Sequence, residues 1–179
     1  MAITSTYKAQ FQSPQGLWID ATIKGTDLAS THFAWYEIWN EKNSTPIKMK
    51  MYDNEQYNSW VALDCLEFCR VDCGHSLTIG LSNGKGGSGW REEKYNKQVG
   101  GVSNSLHLYA CAFDLQEGAM SDAEFAKWFE RVRVACYKYG KNGKPLQAEL
   151  GRYQWGIHIG FCYKLPYAFN GDVYVFDKR

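Results

Sequence analysis

The chain has 179 residues and a mass of 20.5 kDa, enough for one domain with one sizeable core. Its 16% aromatic content excludes an intrinsically disordered chain, which would be poor in such residues. A net charge of +1 argues against a dedicated nucleic-acid binder, and no window approaches the roughly 20 apolar residues that a bilayer span requires.

Met1 to Lys8 holds no apolar stretch of the kind a secretory signal needs, so cytoplasmic synthesis without a signal peptide is expected. Residues 1–30 read as an N-terminal extension with weak structural signals. Leu17-Trp18-Ile19 and Ala21-Thr22-Ile23 are short strand candidates there. Residues 31–179 read as the main domain. Phe33, Tyr36, Glu37 and Trp39 suit one or two helical turns, and residues 44–50 a loop or edge strand. The clearest helix runs from Asn54 to Cys73, where Tyr57, Trp60, Val61, Leu63, Leu66 and Phe68 approximate a 3.6-residue stripe that Gly74 ends. Ser76 to Leu81 reads as a short buried strand, and Asn83 to Gly89 as a loop. A short helix over 92–98, a turn over 100–104 and a strand over 108–115 follow. Ser121-Asp122-Ala123-Glu124 is a capping box opening an amphipathic helix to Tyr139. Gln154 to Phe176 alternates enough for two or three strands. This mixed order predicts a compact α+β domain with a small, largely antiparallel sheet flanked by helices.

Cys65, Cys69 and Cys73 repeat every four residues, which stacks them on one helix face as small core hydrophobes. Metal ligation and disulfides are the other readings of the six cysteines. Of the four histidines, two have informative neighbours. His107 precedes Asp114 by seven residues, and His158 lies in the apolar run Gly156-Ile157-His158-Ile159-Gly160. Two His and one carboxylate, with a fourth position left to water, are what a catalytic zinc site uses. The competing reading makes both residues ordinary members of the core. Convergence of the His107, Asp114 and His158 side chains on one point separates the two. His32 is expected to cap a helix, and His75 to lie on the surface.

One segment carries a resemblance. Ser88-Gly89-Trp90-Arg91, then Tyr95-Asn96-Lys97-Gln98-Val99-Gly100-Gly101-Val102-Ser103-Asn104-Ser105-Leu106-His107, through to Asp114, resembles the M15 zinc peptidase signature. Ser105, His107, Ala112 and Asp114 fall on it, while Ala110 replaces a signature glycine. The match is closest to the branch of D-alanyl-D-alanine carboxypeptidases and phage endolysin peptidases. Weaker similarity extends from Thr31 to Gly160. The resemblance implies an M15, hedgehog-like zinc peptidase fold over 31–179, with Zn2+ held by His107, Asp114 and His158. It implies that Arg91 meets a substrate carboxylate or oxyanion, and that Ser105 helps bind the substrate.

The chain departs from the family where a general base is needed. Relatives carry an acid three residues before the last zinc histidine, here Trp155, or two residues after it, here Gly160. Glu149, reaching in from a neighbouring loop, is the candidate for that catalytic role, and Tyr153 a weaker one. The expected function is zinc-dependent hydrolysis of peptidoglycan stem peptides by a phage or bacterial lytic enzyme that acts on the wall after release. The expected partners are peptidoglycan peptides, with no nucleic acid and no membrane span, and the expected state is a monomer. Trp90, Tyr109 and Trp155 are candidates for lining a peptide groove. The alternative is a catalytically impaired module that binds zinc and wall peptides or a protein partner.

Overall fold

Where an apolar residue recurs at every second position, an extended strand can bury one face. Where it recurs every three or four, a helix can. Both patterns place their elements in the computed structural model. It describes residues 6–12, 18–24, 28–38, 47–49, 59–74, 76–80, 89–116, 120–141, 147–162 and 173–178.

Strands β1 (Thr6–Gln12) and β2 (Trp18–Lys24) form an antiparallel pair, and β3 (Ile47–Met49) adds to β1 in parallel. The two strand candidates around Ile19 and Ile23 are therefore one strand. Between β2 and β3 lies the short helix α1 (Trp35–Ile38), with Phe33 and Ile38 fully buried. The second sheet holds β4 (Ala112–Leu115), β5 (Gln147–Tyr153), β6 (Gly156–Cys162) and β7 (Tyr174–Asp177) in the order β4-β6-β5-β7. β6 is antiparallel to both its neighbours, whereas β7 joins β5 in parallel. The class is α+β, and both sheets are mixed: the three-stranded one has one antiparallel and one parallel pairing, whereas the four-stranded one is largely antiparallel with β7 as a parallel edge strand. Chain segments returning to a sheet edge after a long excursion are free to enter in either sense.

Helix α2 (Ser59–Cys73) buries Ala62, Leu63, Cys65, Leu66 and Cys69, and stops at Gly74, whose φ of +60° suits a residue without a Cβ. Helix α4 (Asp122–Lys141) buries Trp128, Phe129, Val132, Ala135 and Cys136 along one stripe. It opens on the capping box: the Ser121 backbone N–H donates to the Glu124 carboxylate at 2.9 Å, and the Glu124 N–H donates to Ser121 Oγ at 3.4 Å. α2 packs on α4, α4 on β5, and α2 on β6. The described cysteines are free thiols. Five are buried and Cys73 is half-buried, with Cys69 and Cys136 in Sγ contact at 3.6 Å across the α2–α4 seam. Leu66→Ala removes a fully buried side chain of α2 from the core. It is expected to lower stability by about 3 kcal/mol in chemical denaturation.

Some expectations need correcting. Ser76 to Gly80 is not a strand. Leu77 and Ile79 are buried, but a single bridge joins Ile79 to Leu115, with Gly80 N–H donating to the Asp114 carbonyl at 2.9 Å. Residues 108–115 split into a 3-10 turn (Leu106–Tyr109) and the shorter β4, because Ala110 between them takes a left-handed φ of 52°. His32 caps no helix. Its backbone N–H donates to Glu67 on α2, and its Nδ1 lies 2.7 Å from the same carboxylate. His75, most of the Asn83–Gly89 loop and the start of the expected 54–73 helix lie outside the described residues.

Candidate metal centre

Alternation along β6 divides its residues between two environments. Ile157, Ile159 and Phe161 face the helices with Leu150 of β5 and with Phe113 and Leu115 of β4, and all of these are buried. His158 and Gly160 therefore share the other face. The register sets Asp114 directly opposite His158 and Ala112 opposite Gly160. Directly opposed residues have Cβ atoms about 5 Å apart, so the Asp114 and His158 side chains must meet.

His107 reaches the same point from the 3-10 turn, which helix α3 (Glu93–Gln98) precedes. Two bonds hold the turn in place: Arg91 N–H donates to the His107 carbonyl at 3.0 Å, and Ser59 Oγ on α2 donates to the Tyr109 carbonyl at 2.7 Å. Ala110, replacing a signature glycine, closes the turn in a left-handed conformation that costs a non-glycine residue about 1–2 kcal/mol.

The three side chains converge. His107 Nε2 lies 3.2 Å from His158 Nδ1 and 3.2 Å from Asp114 Oδ1, and His158 Nδ1 lies 3.0 Å from Asp114 Oδ1. Tetrahedral zinc with bonds of about 2.0–2.1 Å sets its ligand atoms about 3.3 Å apart, so the spacing fits. The outer nitrogens decide which way the lone pairs point. His107 Nδ1–H donates to the Gly89 carbonyl at 2.6 Å, and His158 Nε2–H donates to Glu149 Oε1 at 2.9 Å. With a proton fixed on each outer nitrogen, the inner nitrogens face Asp114 and are the atoms left to hold a metal, His158 Nδ1 after releasing the proton it donates to Asp114. Three donor atoms thus converge in a buried pocket, and the donor set fits zinc.

Charge follows geometry. Burial pushes His107 down to about 4, with the Arg91 guanidinium adding to the effect. Burial also acts against charge on His158, but hydrogen bonds to Asp114 and Glu149 outweigh it and push His158 up to about 9. Asp114 is held well below the usual carboxylate range, against burial, by His107 and His158. Arg91 is bound to the second oxygen, Asp114 Oδ2, so this guanidinium neutralises a ligand of the cluster.

The remaining candidates fall as follows. Glu149 lies on β5, not on a loop, and touches the outer nitrogen of His158 rather than the inner face. Ser105 begins the 3-10 turn, and its hydroxyl makes no hydrogen bond to a described residue. Burial, with the charges of Asp114 and Glu149, raises the Tyr153 phenol above its ordinary value, which weakens it further as a base. Trp155 is 36% exposed and stacks on Tyr153 at 4.6 Å between ring centroids, whereas Trp90 is core. Phe176 on β7 packs against His158 with ring centroids 6.0 Å apart. It lies in the tail beyond Phe161, which the sequence resemblance does not reach, and only the alternation of Tyr174 to Asp177 marks it.

No helix among the described residues is long and apolar enough to cross a membrane. No curated protein and no solved structure matches the chain. The sequence profile described as Peptidase M15 matches residues 50–144, more than half of the chain, and includes His107 and Asp114. His158 lies beyond the matched stretch and is brought to the cluster by the β4–β6 register. The M15 peptidases are generally zinc-dependent, and the His–Asp–His cluster has a metal-binding arrangement. A matching profile over more than half of the chain and a converged two-histidine, one-carboxylate cluster lead to one assignment: this chain belongs to the M15 peptidase family.

Proposed function

We propose that the protein is a zinc metallopeptidase that hydrolyses peptidoglycan stem peptides, with the hedgehog-like fold of M15 enzymes over residues 31–179, and that it acts as a phage or bacterial lytic enzyme. The observation that carries this reading is the inward convergence of His107 Nε2, Asp114 Oδ1 and His158 Nδ1 at 3.0–3.2 Å in an M15 chain. Bound there, zinc would supply an acidified water and polarise the scissile carbonyl. The chain supplies the rest. His107 and His158 are held in the required tautomers from outside, and Asp114 is kept ionised beside them. Arg91, at the edge of the cluster with 14% of its side chain exposed, offers a planar set of donors to a substrate carboxylate or a developing oxyanion. Ser105, at the head of the turn carrying His107, is proposed to bind the same carboxylate. Tyr153 and exposed Trp155 form an apolar shelf beside the site for the peptide.

The test uses purified full-length protein. Elemental analysis is expected to give one zinc per chain, and incubation with peptidoglycan is expected to release new amino groups. Protein that takes up no zinc at micromolar excess overturns the reading. Removing zinc with a chelator should also destabilise the fold. At about 100 times the dissociation constant, zinc binding contributes about 2.7 kcal/mol. For a chain of this size the melting temperature should then fall by about 5–10 °C on chelation.

A second reading, a zinc-binding module that recognises wall peptides without cutting them, is favoured by one observation. Glu149 Oε1 is engaged by the outer nitrogen of His158, which ties up one oxygen of the candidate base. Full zinc occupancy with no new amino groups would select this reading.

A further inference from the structure

We propose that Glu149 is the positioning carboxylate of His158, delivered across the sheet from β5 into the side-chain place that Gly160 leaves vacant on β6. The inference rests on the zinc reading above and assigns Glu149 a different task from that of a general base.

The register makes the case. Glu149 is paired with Gly160, and Gly151 with His158. On a strand the side chains at 158 and 160 lie on one face, so a residue at 160 would place its side chain beside the His158 ring. Gly160 has none. A Cβ built at 160 would lie 2.9 Å from both Cγ and Oε1 of Glu149, and 2.7 Å from Leu106 Cδ1. Glu149 therefore fills the volume that a side chain at 160 would take. It is diagonal to His158 across the strand pair, a span that only a long side chain bridges. The residue directly opposite His158, Gly151, offers no side chain to obstruct that path, and Phe176 covers it instead: a Cβ at 151 would lie 2.5 Å from Phe176 Cε2. The His158 ring is thus bounded by Phe176 and held at its outer edge by Glu149 Oε1 at 2.9 Å.

The chemical consequence is specific. A carboxylate accepting from Nε2–H fixes the tautomer with its lone pair on Nδ1, fixes the ring plane and makes Nδ1 a better donor to a metal. Glu149 is itself buried, and a buried carboxylate without such a partner is costly. The vacant position and the displaced acid explain each other: with Glu149 seated there, a side chain at 160 would have to push it and Leu106 aside.

The experiment is a competitive Zn2+ titration of the chelator-stripped protein, with the Co2+ absorption spectrum as a second readout. Glu149→Ala is expected to weaken zinc about 10- to 100-fold and to shift the cobalt bands. Glu149→Gln keeps the shape and an acceptor oxygen but not the charge. It is expected to lose about threefold to tenfold, which keeps the test available if the alanine variant fails to fold. In the Glu149→Ala background, Gly160→Asp returns a carboxylate from β6 itself, and should recover at least tenfold of the loss and the wild-type cobalt bands. A merely structural role for Glu149 would produce neither the spectral shift nor that rescue. Unchanged zinc affinity and unchanged cobalt bands in both single variants overturn the inference while leaving the zinc reading intact. Failure of Gly160→Asp to recover affinity overturns the shared place. Wild-type protein that binds no zinc overturns both readings together.

Discussion

Replacing His107 by alanine is expected to weaken zinc binding by more than about 100-fold and to abolish peptidase activity. Loss of a partner that merely orients a ligand costs 10- to 100-fold, so loss of the ligand itself must cost more. The side chain is buried, its Nδ1–H is engaged by Gly89, and its Nε2 is one of three inward atoms within 3.2 Å of one another. Without it His158 and Asp114 offer only two protein ligands, and Arg91 remains bound to Asp114 as a competing cation. Zinc content after dialysis against micromolar zinc, measured beside a circular dichroism spectrum, separates loss of the site from loss of the fold. A folded variant retaining one zinc per chain would show that His107 is not a ligand.

Gly156→Ala should lower stability sharply for a single methyl addition. Gly156 begins β6 with a φ of +154°, and a Cβ there would run into the Leu115 carbonyl oxygen of β4. That atom belongs to backbone and cannot step aside as a side chain can. Backbone strain and overpacking together are expected to cost about 3 kcal/mol. A chain of this length then melts about 6–12 °C lower. Because β4 must retreat from β6, Asp114 should also separate from His158, and zinc affinity should fall in parallel. A thermal melt and a zinc titration of the same preparation check both effects. An unchanged melting temperature would contradict the account.

What was legible in the sequence was local. The capping box at Ser121 and Glu124, the α2 stripe and its glycine stop each depend on residues within a few positions of one another, and each appears as expected. His107 and Asp114 were legible for the same reason, being seven residues apart in one motif. β5 was not. Gln147-Ala148-Glu149-Leu150-Gly151 mixes an acid and a glycine with apolar residues, because one face packs on α4 while the other holds Glu149 against His158. A strand buried on both faces loses the alternation that would reveal it. The place of Glu149 therefore depended on pairing with a strand about ten residues away, information no local pattern contains. The 3-10 turn at Leu106–Tyr109 was hidden similarly, since apolar residues there suit a strand equally well, and only the left-handed Ala110 separates the two. Phe176 reaches His158 through the parallel addition of β7, which composition does not indicate.

The direct pairing of Asp114 with His158 has one more implication, for the fidelity of folding. Two apolar strands such as β4 and β6 could slide past each other by one residue with little loss of backbone bonding. That slip would turn Asp114 into the apolar layer occupied by Phe113 and Leu115. An unsolvated carboxylate there costs several kcal/mol, more than any gain from the misaligned apolar contacts. The polar cluster thus works as a proofreading device: only one alignment of the two strands leaves every buried charge with a partner.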